Sequence, residues 1–298
     1  MGETANTPIP VKLNFANPRI KIACDIAEGL KDIQLEMDNE LRGILLGGSV
    51  SRGTDDKYSD VEILLFMTTV PTLEDRHRLI SLLNFEKTEK VDFDNNEDNL
   101  LVNGIQVDLV YYTDDYDVPV ITDVTEYCLP DYSVMGNIDT IRNGIILWGD
   151  DYLSGLKEQC ADYKDGLGEN IIIDNLNHLH NGNMDVFVER NNPTEFYTNV
   201  ITLQKKVFNI LSAINKKYIG GYKWMYRELG AMKTAPAGLG EKFSAMFSDD
   251  KHEVIESMSR IIQETLHLAN QTYPNLNLDV DKIMYRYSLK REQNTRIL

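Results

Sequence analysis

The sequence predicts an α+β protein, with a first half built around short strands and a second half that is all helix. Three observations carry this. Short apolar runs punctuated by Gly, Asn and Asp are confined to the first 150 of the 298 residues. Beyond that point the apolar residues recur at helical spacing over long stretches. Strands therefore come first and helices after, rather than alternating throughout as in a doubly wound α/β fold. The break at Gly149-Asp150-Asp151 divides the chain into residues 1–150 and 151–298.

Each element follows in order. Over residues 18–36, Ile20, Ile22, Ala23, Ile26, Leu30 and Ile33 recur at roughly helical spacing. Arg42-Gly43-Ile44-Leu45-Leu46 is a short apolar strand that stops at Gly47-Gly48, and residues 61–66 form a second strand. Residues 72–83 read as a helix, with Thr72 as its cap and Glu74 and Asp75 in the first turn, where carboxylates complement the exposed N–H groups. Residues 100–110 are two β runs joined by Asn103-Gly104, the preferred pair for a type I′ hairpin turn. The run 144–148 closes the sheet as an edge strand. Helical patterns then cover 153–163, 170–190, 194–218, 221–232, 238–247 and 251–272. Asp114, Asp115 and Asp117 read as a solvated loop, and His178 and His180, two apart on a helix, point to different sides and make no metal pair.

The bulk properties exclude several classes. No apolar run approaches the ~20 residues of a membrane span, and the first ten residues lack the basic-then-apolar pattern of a secretory signal. Three scattered cysteines form neither a disulfide framework nor a zinc motif, so a reduced, cytoplasmic setting is expected. A net charge of −17 repels phosphate backbones and makes nucleic acid an unfavoured partner, while favouring a cationic one.

The chemistry concentrates in residues 47–63 and at Asp108. On a strand, Asp60 and Glu62 share one face while Val61 and Ile63 point to the other. Two carboxylates side by side repel unless a cation lies between them. Mg²⁺ is the natural choice, since it takes oxygen ligands from carboxylates and phosphates. Before them, Gly47-Gly48-Ser49 follows a buried strand. Glycines there let the backbone approach an anion closely, and Ser49 adds a hydroxyl donor. Arg52 is a further phosphate candidate, although no Gly-Lys-Ser/Thr of a Walker loop follows. Asp108, flanked by Val107 and Leu109, is an acid in an apolar strand and needs a partner.

Gly47-Gly48-Ser49, then Asp60-Val61-Glu62, then Asp108 on a strand resemble the signature of the nucleotidyltransferase superfamily that includes DNA polymerase β. The likeness is closest to its small bacterial minimal and antibiotic-modifying members and rests on residues 43–110. The resemblance implies a polymerase β-like catalytic domain with a mixed sheet over residues 1–150, followed by a helical bundle over 151–298. It places triphosphate binding on Gly48 and Ser49. It makes Asp60, Glu62 and Asp108 ligands of two Mg²⁺ ions, with Mn²⁺ as an alternative. Related antibiotic-modifying enzymes use an additional acid as general base, and Glu126 is the nominee beside Asp108. The run 213–218 with Lys223-Trp224 resembles the helical domain appended to bacterial nucleotidyltransferases, which makes Lys216, Lys217, Tyr218 and Lys223 candidate nucleotide contacts. The implied reaction moves a nucleoside monophosphate, AMP from ATP by default, onto a hydroxyl of a small acceptor such as an aminoglycoside- or lincosamide-like molecule. Transfer to a protein hydroxyl and a non-catalytic nucleotide sensor are the alternatives. Three intact acids argue against the last.

Overall fold

The computed structural model describes residues 14–33, 40–83, 88–94, 96–176, 179 and 184–285. His178 and His180 lie outside them. The chain forms two units: residues up to 123 with 137–162, and 124–136 with 163 onward.

The first unit is built on a six-stranded mixed sheet in the order β3-β4-β5-β2-β1-β6. The strands are β1 (Leu41–Leu46), β2 (Val61–Met67), β3 (Thr88–Asp94), β4 (Glu97–Val102), β5 (Ile105–Thr113) and β6 (Ile145–Trp148). β2 and β5 run parallel, and the other neighbours pair antiparallel. The β4–β5 hairpin turns at Asn103 (φ 51°) and Gly104 (φ 80°), the two positive φ values that a type I′ turn demands. Both β6 at the edge and Thr72 as a cap match the sequence reading: Thr72 accepts from the Asp75 N–H at 3.2 Å, opening α3 (Leu73–Leu82).

Strand alternation sorts the side chains. Val61, Ile63 and Leu65 of β2 and Val107 and Leu109 of β5 join Ala23, Ile26 and Leu30 of α1 (Pro18–Ile33) and Leu79 of α3 in one core. Each of the Val, Leu and Ile side chains among them contributes roughly 1.5–3 kcal/mol by leaving water. The intervening residues, Glu62, Leu64 and Phe66, together with Asp108, Val110 and Tyr112, occupy the opposite face. There Phe66 stacks on Tyr112 with ring centroids 5.2 Å apart. One buried polar group crosses the core side: Arg76 lies 3.5 Å from Asp98, whose other oxygen accepts from the Tyr111 hydroxyl at 2.7 Å.

Several elements were not read from the sequence. A single turn of helix, α2 (Gly48–Ser51), follows β1. β3 carries alternating charged residues, and α4 (Asp117–Thr125) and α5 (Met135–Asn143) are short, nine residues each. Of the acidic run read as a solvated loop, Asp115 is exposed, but Asp114 and Asp117, the first residue of α4, are engaged. Asp114 pairs with Arg42 Nε at 2.8 Å and accepts from the Tyr152 hydroxyl at 2.7 Å, while Asp117 accepts from the Thr113 N–H at 2.7 Å. The division between units also falls later than residue 150. Helix α6 (Asp150–Ala161) packs back onto β1, with Leu153 so close to Gly43 that a Cβ there would approach its Cγ to 2.6 Å.

Lys157 of α6 closes the C-terminal end of α5. Its ammonium donates to the carbonyls of Ile141 (3.2 Å), Arg142 (3.0 Å) and Gly144, groups that a helix end leaves without intrahelical donors. Burial pushes its pKa down. Lys157→Met keeps the stem but removes the donor, and should cost about 1–3 kcal/mol in urea unfolding. An unchanged midpoint would show that water replaces the ammonium without loss.

The second unit is helical: α7 (Asp165–Leu176), α8 (Met184–Glu189), α9 (Pro193–Ile214), α10 (Met225–Gly230), α11 (Leu239–Ala245) and α12 (Lys251–Thr272). Phe196, Val200, Leu203, Val207, Leu211 and Ile214 form the buried stripe of α9, which starts at the cap Asn192 with Pro193 in the first turn. No described helix is long and apolar enough to cross a membrane.

Candidate active site

The site assembles where β1 ends and β2 begins. The Gly47 N–H donates to the Glu62 carbonyl at 2.8 Å, holding the glycine turn against β2. Gly48 adopts φ +63°, and a Cβ built on it would come within 2.8 Å of Glu62 Cδ and 3.0 Å of Glu62 Oε1. The Glu62 carboxyl group therefore lies directly beneath the turn, in space that only glycine leaves open. α2 starts at Gly48, so the turn presents unpaired N–H groups, and Ser49 is half-exposed. Ser51 faces inward, its hydroxyl donating to the Gly48 carbonyl at 3.0 Å.

Parallel pairing of β2 with β5 puts Glu62 directly opposite Asp108. Asp60 lies just before β2, and its charge is felt at Asp108. Asp108 is only 8% exposed. Burial pushes its carboxyl above the ordinary range, a hydrogen bond from Gln106 pulls it back, and Asp60 adds a smaller upward push. The loop leading into Asp60 is fixed from α1: Arg19 Nε donates to the Ser59 carbonyl at 2.9 Å, and Asn17 donates to Asp55 at 3.0 Å. Asp56 ties the turn itself, accepting from the Tyr58 N–H at 2.8 Å.

Glu62 and Asp108 thus share one face of the sheet, and Asp60, just before β2, is near enough for its charge to act on Asp108. Among the described residues no three acidic, histidine or cysteine side chains are already closed around a point fit for an ion. The donor set itself suits a hard divalent cation: carboxylate oxygens alone, one of them on a buried group whose charge is opposed by burial and by a neighbouring acid.

The remaining candidates divide by unit. Arg52 is held by Asp139 at 2.7 Å, both a quarter exposed, within the first unit. Glu126 belongs to the second unit and forms an ion pair with Lys164. Lys216 pairs with Asp165 at 2.7 Å and Lys217 with Glu228 at 2.9 Å. Lys223 lies over the Trp224 ring at 5.7 Å, with Arg227 closer at 4.2 Å. Tyr218 corrects the sequence reading. It is 4% exposed and packs against the Tyr163 ring at 5.1 Å, so its helical spacing marks core and its ring is not open to stack on a base. Sequence reasoning missed Asn99 and Gln106, which both reach Asp108. Gln106 shares a face with Asp108 by strand alternation, and Asn99 is set opposite it by the hairpin register.

No family model matches the chain. Over 57 residues, 19% of its length, the chain is 35% identical to a putative protein adenylyltransferase of Methanocaldococcus jannaschii, and it spans 58% of that relative's length. Among solved structures, a nucleotidyltransferase-like protein from Exiguobacterium sibiricum aligns over 86% of this chain and 79% of its own, at 12% identity and a TM-score of 0.41. The 57-residue likeness and the glycine–carboxylate motif together support a relationship of this chain to the nucleotidyltransferase superfamily.

Proposed function

We propose that this protein transfers a nucleoside monophosphate from an NTP, ATP by preference, to a hydroxyl group of a small cationic acceptor, such as an aminoglycoside- or lincosamide-like molecule. The observation that carries this reading is the register of β2 on β5. Glu62 pairs with Asp108 and lies beneath the glycine turn, and the charge of Asp60 acts on Asp108. Asp60, Glu62 and Asp108 would hold two Mg²⁺ ions, or Mn²⁺; bound there, such ions offset phosphate charge and lower the pKa of an acceptor hydroxyl.

This chain's own groups supply the rest. The N–H groups of the α2 turn and the Ser49 hydroxyl bind triphosphate oxygens. Asp139 steadies Arg52 at the rim of the same unit. The acceptor oxygen forms a bond to the α-phosphorus, the bond to the bridging oxygen breaks, and pyrophosphate departs. The acceptor proton passes to a carboxylate base, for which Asp108 and Glu126 are the two candidates; Glu126 is paired with Lys164. The net charge of −17 outlasts neutralisation of the nucleotide by metal, so a cationic acceptor gains in encounter rate and orientation. Three free cysteines are compatible with a reduced, cytoplasmic setting.

The test is incubation with α-labelled ATP, Mg²⁺ and a panel containing an aminoglycoside, a lincosamide, a neutral sugar and candidate proteins. Label should move to the cationic molecule with stoichiometric pyrophosphate, and the rate should fall as salt is raised. Salt-independent transfer would remove the electrostatic argument. A second reading, transfer to a protein hydroxyl, is favoured by the name of the archaeal relative. Label appearing on protein alone would put it first.

A further inference from the structure

The β4–β5 hairpin brings two uncharged side chains onto one oxygen of Asp108. Gln106 Nε2 donates to Asp108 Oδ1 at 3.0 Å. Asn99, the direct cross-strand partner of Asp108, donates to the same Oδ1 at 2.6 Å when its amide nitrogen faces the acid; in that orientation it also reaches Glu97 Oε1 at 3.3 Å. Neither carboxamide engages Oδ2.

The choice of neutral donors has a chemical meaning. A lysine or arginine at either position would fix the carboxylate equally well, but would also cancel its charge and compete with any cation. Two carboxamides hold the group in one rotamer and leave its charge in place. A carboxylate that is mostly buried and free to rotate would lose that geometry.

We infer that Asn99 and Gln106 are positioning residues that clamp Asp108 through Oδ1 and reserve Oδ2 for a divalent cation. This rests on the assignment of Asp60, Glu62 and Asp108 as ligands. Outer partners of this kind orient a ligand before the ion arrives, and their loss weakens metal affinity without dismantling the fold. If the carboxamides served only to join the strands, their loss would lower stability and leave metal affinity untouched.

The two roles separate in a binding experiment that needs no acceptor and no turnover. Mn²⁺ is titrated into the full chain with a non-hydrolysable ATP analogue, and free Mn²⁺ is followed by its paramagnetic resonance signal. Gln106→Met and Asn99→Leu keep side-chain size and remove the donors. The double variant should bind Mn²⁺ about 10–100-fold more weakly, and each single variant by a smaller factor. Gln106 is exposed, so Gln106→Met should melt with the wild type and decides the matter alone if Asn99→Leu does not fold. Wild-type Mn²⁺ affinity in folded Gln106→Met and in the double variant, with weakened affinity in Asp60→Asn, would overturn the clamp and leave the proposed function standing. Unchanged affinity in Asp60→Asn as well would remove the metal site, and the clamp with it.

Discussion

Asp60→Asn should lower pyrophosphate release from ATP by on the order of 10³-fold, equivalent to about 4 kcal/mol of transition-state stabilisation. The substitution keeps shape and removes one charge. Asp60 sits just before β2 on a loop whose neighbours are already fixed, Ser59 by Arg19 and Asp55 by Asn17, so the backbone has no reason to move. Removing this acid also relieves repulsion at Asp108, one cause of its raised pKa, so the variant should fold at least as well as wild type. Stability and activity are therefore expected to move in opposite directions, which a merely structural acid would not produce. Asp25→Asn, which alters an exposed acid paired with Lys21 on α1, serves as the control and should leave turnover within about two-fold. The measurement is steady-state pyrophosphate release alongside urea unfolding. Near wild-type turnover in Asp60→Asn would mean that the motif has been misread.

The parts of this site legible in the sequence are those with local signatures. The spacing of Asp60 and Glu62 marks a paired-carboxylate motif, although Asp60 lies just before the strand, and the hairpin bearing Asp108 announces itself through Asn103-Gly104. That Glu62 faces Asp108 was legible only through the family resemblance and not from local pattern, because it depends on the parallel pairing of strands some forty residues apart. Asn99 and Gln106 were legible in principle, since Gln106 precedes Asp108 by two on one strand and the two-residue Asn103-Gly104 turn sets Asn99 opposite Asp108, but uncharged amides carry no chemical signal of their own. The charges of β3 masked a strand, since its residues alternate without a long apolar run. Tyr218 shows the opposite error: aromatic and basic residues side by side suggest a binding tract, yet helical spacing places the ring in the core. Charged residues misled similarly at Asp114, which looks solvated in one dimension but answers Arg42 and Tyr152 in three.

Gly48→Val should strike both the turn and the acid beneath it. At φ +63° a residue with a Cβ carries backbone strain of about 1–2 kcal/mol. The added Cβ would also lie 2.8 Å from Glu62 Cδ, 3.0 Å from Oε1 and 3.1 Å from Oε2. Either the turn lifts away from β2, breaking the Gly47 N–H bond to the Glu62 carbonyl, or the Glu62 carboxylate swings out of its place opposite Asp108. The combined cost should be about 2–4 kcal/mol in unfolding free energy, with turnover down on the order of 10²-fold and ATP affinity reduced. Gly53 provides the comparison. It has nearly the same φ, +64°, but a Cβ there meets nothing within 4 Å. Gly53→Ala should therefore carry the backbone strain alone, with turnover close to wild type. Gly48→Ala, which adds the Cβ without branching, should fall between the two in stability but beside Gly48→Val in activity, because the contact with Glu62 is already made by the first carbon. Equal loss of activity in Gly48→Ala and Gly53→Ala would show that strain, rather than the packing of the turn on Glu62, is what the site cannot tolerate.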